Sequence, residues 1–315
     1  MICTLQGVIS MTILIISHQK GLEADLIISE LDRKGLPFFR LNQEEGNQVS
    51  QIGFGFAFPE FNLNLKCDNR SLTLKEVSSV WYQQLPFFEI QYATDNLSSI
   101  QRLNISAQFD ALDYIFQDLG VRTLNSRNVV KKAGNKAVQL YTARQVGLPL
   151  LPTIVGNHFD LLHSFSELEN SIFKNFASPW FENGKSVMAA STKRFSPDEL
   201  LHEDSIIPCA AIYQKYAKRI KDYRVVVVGT DVFVGSVDSS TGGEYDVRTS
   251  STQLNKYTQD SLPDEHIQAL LNLMKKLGLQ YCAADFILTS SGDYFFLELN
   301  TCGSWWWINE LYNNA

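Results

Sequence analysis

The chain has no excess of positive charge and no cysteine pairs. Its 27 Lys and Arg residues are outnumbered by 34 Asp and Glu residues, which gives a formal net charge of −7. Nucleic-acid binding through a general basic field is therefore excluded, and we expect no nucleic-acid partner. The five cysteines are scattered without a CxxC pair. This pattern favours a reduced, cytoplasmic protein over a disulfide scaffold or a zinc site.

Long apolar runs and a dinucleotide fingerprint are also missing. The longest apolar run near the start, Met11 to Ile16, is too short to span a bilayer, so we expect no membrane association. The leading segment MICTLQGVIS lacks a positively charged region, so we expect no signal peptide. No GxGxxG follows the first apolar segment, which argues against a dinucleotide site.

The pattern of the first half predicts an α/β protein. A strand at 12–17, an amphipathic helix at 22–34 closed by Gly35, and a second strand FFRLN form a βαβ opening, which predicts a parallel sheet. A long helix is expected from Gln91 to Leu119, with apolar residues near helical spacing: Ile100, Leu103, Ile105, Phe109, Leu112 and Phe116. A further helix is expected at 134–146, with Ala137, Leu140 and Tyr141 facing inward.

Near the chain's end, YCAADFILTSSGDYFFLELN predicts an antiparallel hairpin, with strands at 282–289 and 294–300. Alternation along the second strand places Glu298 and Asn300 on one face and points Leu297 and Leu299 into the core. The four-residue turn places Asp285 opposite Glu298. Three oxygen-bearing side chains then converge, as a Mg²⁺ site requires. The alternative is a hairpin whose polar face simply meets water; the apolar density around the three residues favours the metal site.

With these motifs taken together, the chain resembles the ATP-grasp superfamily of carboxylate–amine ligases, and within it the graspetide (microviridin-type) synthetases that cross-link ribosomal peptides. The resemblance rests on segments spread over most of the chain: MTILIISH, LTLKEVSSVWYQQ, GNKAVQLYTARQVGLPLLPT, IFKNF, YQKYAKRIKDYRVVVVG, YDVR and FLELNTCGSWWW. Two details depart from the family pattern. Gln83 and Gln84 stand in place of two arginines, and Thr301, Cys302 and Ser304 surround Gly303 where proline and glutamine are usual.

The resemblance implies an α/β ATP-grasp fold in three parts. These are a pre-ATP-grasp domain at 11–124, a central lobe at 125–205 and a C-terminal ATP-grasp lobe at 206–315. It also implies ATP and Mg²⁺ as cofactors. The nucleotide is expected between the last two lobes.

Roles for individual residues follow from the same resemblance. Asp285, Glu298 and Asn300 would hold Mg²⁺, and Lys136 and Lys174 would hold the α- and β-phosphates as point charges. The backbone of Gln214, Lys215 and Tyr216 would form the adenine hinge. Arg224 would face the γ-phosphate or acyl phosphate, and Arg248 the same region or the substrate carboxylate.

Each of these residues has a simpler interpretation. Lys136 alone could be a solvated helix side chain, whereas Lys174 inside an aromatic strand needs an anionic partner. Arg224 could extend its head to solvent at a strand start. Lys218, Arg219 and Lys221 are interpreted as a solvated turn, and the triplet Trp305 to Trp307 as core packing on the hairpin.

The expected function is ATP-dependent ester or amide formation within a precursor peptide, with an Asp or Glu donor and a Ser, Thr or Lys nucleophile. The expected partner is that peptide, with its leader and core. We expect the leader of that peptide to dock at Thr192 to Cys209. The oligomeric state stays open, and a homodimer is one option. One alternative is a small-substrate ligase of the glutathione-synthetase or ribosomal-protein glutamate-ligase type. Another is a non-catalytic peptide- or nucleotide-binding relative, which Gln83 and Gln84 would suit.

Overall fold

The chain divides into two compact units, and the boundary between them falls between Asn128 and Val129. The fold is taken from a computed structural model. The structure describes residues 11–43, 50–56, 61–83, 98–165, 170–176, 180–183, 186–189, 192–194, 210–239 and 257–312. Among these residues, no helix is long and apolar enough to cross a membrane.

The first unit contains a parallel sheet and a small antiparallel sheet. In chain order its elements are β1 (Thr12–Ser17), α1 (Leu22–Arg33), β2 (Phe38–Asn42), β3 (Ser50–Gly55), β4 (Asn62–Cys67), β5 (Arg70–Thr73), β6 (Val77–Tyr82), α2 (Ser99–Asp118) and β7 (Arg122–Leu124). The parallel sheet has the order β2-β1-β6-β7, and the other sheet has the order β3-β4-β5. The predicted βαβ opening is confirmed.

Helix α2 begins later than the sequence predicts and faces the core differently. Ser98 caps it in a capping box with Gln101, and residues 91–97 lie outside the described part. Its buried face carries apolar residues spaced as helical turns require: Ile105, Phe109, Leu112 and Phe116. Ile100 and Leu103, which are counted with these residues in the sequence analysis as near helical spacing, are exposed. They lie on the opposite face because the helical repeat that fits Ile105 and Phe109 excludes them.

The second unit contains two larger antiparallel sheets and a separate hairpin. Its elements begin with α3 (Arg127–Ala133), which spans the boundary, and continue with α4 (Lys136–Gln145), β8 (Thr153–Gly156), α5 (Phe159–His163), β9 (Ser171–Asn175), β10 (Trp180–Asn183), β11 (Ser186–Ala189), β12 (Lys193–Arg194), β13 (Ala211–Lys215), β14 (Arg219–Val228), β15 (Asp231–Asp238), β16 (Thr258–Gln259), α6 (Asp264–Leu277), β17 (Tyr281–Thr289), β18 (Tyr294–Asn300) and α7 (Trp306–Leu311).

The sheets of the second unit have the orders β12-β9-β13-β8 and β16-β15-β14-β17-β18, and β10 pairs with β11. The core lies where the apolar faces of α4 and α6 pack on the five-stranded sheet. Valines of β14 and Cys282, Ala284 and Phe286 of β17 are buried there. Continuous apolar runs of this kind are typical of strands covered on both faces.

Helix α4 carries a different inward face from the predicted one. Gln139, Thr142 and Ala143 are buried, whereas Tyr141 is 68% exposed. The expected inward position of Tyr141 is therefore wrong. Aromatic residues are usually buried, but the buried face of this helix is partly polar, so Tyr141 does not follow that preference.

The predicted hairpin at the end of the chain is confirmed, with one irregularity. Asp285 lies directly opposite Glu298, as predicted. Beside the turn, however, Leu288 pairs with Tyr294, one residue away from the register that a four-residue turn predicts. Leu297 is the extra residue of a β-bulge, and this bulge brings Glu298 opposite Asp285. Leu299 is buried as expected, but Leu297 is only half-buried and lines a cleft. Its predicted place in the core is wrong because the bulge turns its side chain away.

Candidate active site

A row of charged side chains crosses three neighbouring strands of the five-stranded sheet. Arg224 on β14 pairs in register with Asp285 on β17, and Asp285 pairs with Glu298 on β18. Side chains directly opposite one another in antiparallel strands share a face of the sheet. Arg224 Nη1 lies 3.1 Å from Asp285 Oδ1. Register alone therefore brings one guanidinium and two carboxylates together.

Asn300 and Lys136 complete this group. Asn300, two residues after Glu298 on β18, donates from Nδ2 to Asp285 Oδ2 at 3.3 Å. Lys136 Nζ lies 2.8 Å from Glu298 Oε2, and both side chains are largely buried. Lys136 is the first residue of α4, whose N-cap Asn135 accepts hydrogen bonds from the amides of Ala137 and Val138.

Lys174 lies on β9, in the four-stranded sheet. Its Nζ donates to Gln214 Oε1 at 2.9 Å, and Gln214 Nε2 donates to Thr153 Oγ1 at 2.9 Å. Gln214 is only 2% exposed. A buried amide that accepts from an ammonium group on one side and donates to a hydroxyl on the other fixes the lysine beneath the cleft.

Residues of both groups line one open cleft, whose volume of about 1060 Å³ includes the solvent at its mouth. The lining includes nearly all the charged groups just described, together with Lys215, Tyr216, Ala217, Arg219, Asp222 and Tyr257. Cations outnumber anions along this lining. Such a surface suits a polyanionic ligand, because several phosphate charges can be neutralised at once.

Arg219 and Asp222 are a second ion pair in this cleft. Arg219 Nε lies 3.0 Å from Asp222 Oδ2, and both side chains are nearly buried. The interpretation of Arg219 as part of a solvated turn is therefore wrong, because β14 already begins at this residue. Asp222 was missed, although alternation along the strand places it on the same face as Arg224.

The backbone amides of the hinge segment are partly committed to the protein itself. The Lys215 amide donates to the carbonyl of Pro152 at 2.9 Å, and the Tyr216 amide donates to that of Asn170 at 2.5 Å. In the described part of the chain, no backbone hydrogen bond occupies the amide of Ala217, which also lines the cleft. Sequence reasoning did not single out Ala217.

The thiol of Cys282 lies behind Arg224 and Asp285 in the sheet. It is fully buried, and this burial raises the pKa of the Cys282 thiol well above its usual range. The thiol therefore stays protonated, so that it is unsuited to metal binding or nucleophilic attack.

The donor chemistry of the site fits Mg²⁺. No cluster of three or more His, Cys, Asp or Glu side chains occurs among the residues that the structure describes. A metal here would depend on the two carboxylates, on the amide of Asn300, and on phosphate oxygens and water. Mg²⁺ is bound in this way, by one or two carboxylates and the phosphates of its substrate.

Known structures share the architecture over nearly the whole chain. An RiPP-associated ATP-grasp ligase from Chryseobacterium gregarium, solved in complex with ADP and a leader and core peptide, superposes with a TM-score of 0.83 at 21% identity, covering 96% of this chain and 92% of that one. The macrocyclase MdnB from Microcystis aeruginosa gives a TM-score of 0.73 at 25% identity, with 96% and 95% coverage. The chain therefore has the ATP-grasp fold. The resemblance to ligases of ribosomal peptide maturation is thereby confirmed.

One curated protein is similar to part of the chain. Human N-acetylaspartylglutamate synthase A is 26% identical over 190 residues, which is 58% of this chain and 47% of that protein. The chain thus spans about half the length of the curated relative it matches. No family model matches the chain.

Of the residues predicted for this ATP-grasp site, the structure brings together Lys136, Lys174, Arg224, Asp285 and Glu298 around one cleft, with Asn300 at its edge. Lys215 and Tyr216 line the same cleft. Arg248, Gln84 and residues 195–209 of the expected leader-docking segment lie outside the described residues.

Proposed function

We propose that this protein is an ATP-dependent ligase that acts on a precursor peptide. It would activate a side-chain carboxylate of Asp or Glu as an acyl phosphate, which a Ser, Thr or Lys side chain then attacks to give an ester or amide. The row Arg224, Asp285 and Glu298, facing Lys174 across one cleft, carries the proposal. Such a row can hold phosphates and a metal on the same face.

Phosphoryl transfer needs charge neutralisation and alignment more than covalent help from the protein. Lys136 and Lys174 lie on two sides of the cleft, where their ammonium groups would hold the α- and β-phosphates. Arg224 would face the γ-phosphate and the acyl phosphate, because a guanidinium can contact two oxygens at once. Arg248 is proposed to act in the same region or on the substrate carboxylate.

Asp285, Glu298 and Asn300 would hold Mg²⁺. When bound, this ion supplies charge neutralisation between the phosphate groups. The adenine base would lie at the end of β13, against Gln214, Lys215 and Tyr216. Two amides of this segment are already engaged, so the base would meet the carbonyl oxygens there and the amide of Ala217.

The peptide partner is part of the proposal. A leader and a core peptide are bound by the Chryseobacterium ligase, and we propose the same partner class here, with the leader docking at Thr192 to Cys209. The proposed domain limits are 11–124, 125–205 and 206–315. A cytoplasmic location is proposed from the cysteine usage.

A second candidate is ligation of small substrates. It is favoured by the similarity to N-acetylaspartylglutamate synthase A over more than half of this chain. The two candidates differ in whether single amino acids stimulate phosphate release from ATP when no peptide is present.

The test is co-expression with a precursor peptide encoded beside this protein, followed by mass spectrometry of the peptide. The expected result is the loss of one water mass for each cross-link, in the presence of ATP and Mg²⁺. An unchanged peptide mass, together with phosphate release stimulated by free amino acids, would favour the small-substrate ligase. Binding of Mg-ADP without turnover in either assay would point to a non-catalytic relative.

A further inference from the structure

Trp307 lies against the guanidinium group of Arg224. The Cζ atom of Arg224 is 5.5 Å from the centroid of the Trp307 ring, which is within the range of a cation–π contact. Trp307 is 7% exposed and Arg224 is 8% exposed. Desolvation of both partners strengthens this contact, because water no longer competes for the cation.

Arg224 has few other partners that could fix its orientation. Its Nη1 forms the ion pair with Asp285, but Nε and Nη1 are buried and make no well-aligned hydrogen bond within the described part of the chain. A guanidinium carries five N–H donors in a fixed plane. The direction of that plane therefore depends on what lies against its face, and this is the ring of Trp307.

The segment that carries Trp307 is held tightly beside Arg224. A Cβ atom at Gly303 would lie 2.7 Å from Ala283 Cβ and 3.5 Å from Arg224 Nη1, so only glycine permits this approach. The hydroxyl of Tyr281 donates to the carbonyl of Gly303. The start of α7 is thus fixed on the same strands that carry the charged row.

Two further rings hold the Trp307 ring in place. The ring of Trp306 meets it edge-to-face, with centroids 5.7 Å apart at an angle of 84°. The ring of Tyr257, which lines the cleft, lies 6.1 Å away. Edge-to-face packing restrains a ring in one orientation, so the face that Trp307 presents to Arg224 is fixed.

We propose that Trp307 is a positioning residue that orients the Arg224 guanidinium toward the transferring phosphoryl group. This rests on the proposed function, since it takes Arg224 to face that group. Packing alone explains the burial of a tryptophan, but it does not require the ring to cover a cation that lines a cleft. Helix α7, which carries Trp307, thereby becomes part of the candidate active site.

The kinetic test compares Trp307→Leu and Trp307→Phe with Phe233→Leu. Phe233 is the control, since it packs in the same cluster, meets the ring of Tyr312 and lies over no cation among the described residues. We expect Trp307→Leu to lower kcat about 2- to 30-fold with little change in KM for ATP, corresponding to a contact of about 0.5–2 kcal/mol. Trp307→Phe should lose less, because it keeps an aromatic face. An equal loss in Phe233→Leu would overturn the proposal.

A double-mutant cycle separates positioning from general packing. In an Arg224→Lys background, Trp307→Leu should cause little further loss of kcat, because the planar group it orients is gone. Losses that multiply in full would mean that Trp307 acts independently of Arg224 and would overturn the proposal.

A measurement without turnover keeps this test distinct from that of the proposed function. In arginine-¹⁵N-labelled protein, the Nε–H signal that disappears in Arg224→Lys should be shifted by the ring current of Trp307. It should move toward the position of exposed arginines in Trp307→Leu and stay in place in Phe233→Leu. An unmoved signal in Trp307→Leu contradicts the inference, whether or not the wild type ligates any peptide.

Discussion

The side chain of Gln139 and the backbone of Leu299 exchange two hydrogen bonds. Gln139 Nε2 donates to the Leu299 carbonyl at 2.8 Å, and the Leu299 amide donates to Gln139 Oε1 at 2.9 Å. Gln139 lies one turn after Lys136 on α4, and Leu299 directly follows Glu298 on β18. This pair therefore fixes the helix on the strand so that Lys136 meets Glu298.

Replacement of Gln139 by leucine should damage both stability and nucleotide binding. Leucine has a similar size but leaves the Leu299 amide and the carbonyls of Leu299 and Ala133 without partners. Buried groups left unsatisfied cost roughly 1–3 kcal/mol, so thermal unfolding should occur at lower temperature and Mg-ADP affinity should fall in calorimetry. Gln145→Leu, on the exposed side of the same helix, is the control and should change stability by less than about 0.5 kcal/mol.

Removal of either carboxylate of the charged row should abolish turnover without unfolding the protein. Glu298→Gln and Asp285→Asn keep the side-chain shape and remove the charge that a Mg²⁺ ion needs. Phosphate release from ATP should fall to background in both variants. Glu298→Gln should unfold near the wild-type temperature, whereas Asp285→Asn should fold but unfold at a lower temperature, because the buried Arg224 loses the negative charge beside it. Glu310→Gln, exposed on α7, serves as the control. Full activity in Glu298→Gln would remove the metal assignment.

Lys136→Met should change metal and nucleotide affinity in opposite directions. Lys136 Nζ neutralises Glu298 at 2.8 Å, and it competes electrostatically with a divalent ion for the same carboxylate. Without it, Mn²⁺ alone should bind several-fold more tightly in calorimetry, while Mg-ADP should bind more weakly because a phosphate contact is gone. Lys276→Met, on the surface of α6, should change neither. Unchanged Mn²⁺ affinity in Lys136→Met would show that Lys136 does not compete with a divalent ion for Glu298.

The hairpin shows how far local sequence can define such a site. The predicted pairing of Asp285 with Glu298 is correct, but turn length alone does not produce it. Leu288 pairs with Tyr294, and that register without a bulge would place Leu297 opposite Asp285. The bulge at Leu297 brings Glu298 to this position, and it could not be predicted from turn length. It is an extra residue in one strand whose position depends on how Phe296 packs against Phe286, which is a tertiary contact.

Contacts between distant segments limited the rest of the prediction. Gln139 could be suspected only as a polar residue on an inward helix face, and its partner Leu299 lies 160 positions away. The exposed Tyr141 and the buried Gln139 reverse the usual preference for aromatic burial, because this helix docks through hydrogen bonds. Arg219 was assigned to solvent because its neighbours are cationic, yet Asp222 on the same strand neutralises it. The secondary-structure propensity of single residues does not reveal such hydrogen bonds and ion pairs.

A methyl group at Gly303 should disturb the end of β18. In Gly303→Ala the new Cβ would lie 2.7 Å from Ala283 Cβ and 2.8 Å from Asn300 Cβ. Both neighbours are bonded directly to the backbone and cannot rotate away, so the strand itself must shift. We expect loss of about 1–3 kcal/mol of stability, and weaker Mg-ADP binding through displacement of Asn300. Ser304→Ala, at the next and exposed position, should behave as the wild type in both assays.

Asp260 should give part of the stability a dependence on pH. Burial on its own would raise the pKa of Asp260, but hydrogen bonds from Ser236, Lys221 and the amide of Ser261 outweigh it and lower the pKa. Because the folded pKa lies below the ordinary value of 3.8, this stabilisation is present above that pH and is lost as the pH falls through the folded pKa. Asp260→Asn should therefore be less stable than the wild type at pH 7, by about 1–3 kcal/mol, and the gap should close at low pH. Urea unfolding at a series of pH values measures this, with the exposed Asp231→Asn as the control. A gap that stays constant from neutral to acid pH would mean that the Asp260 carboxylate is not what holds β14, β15 and the following loop together.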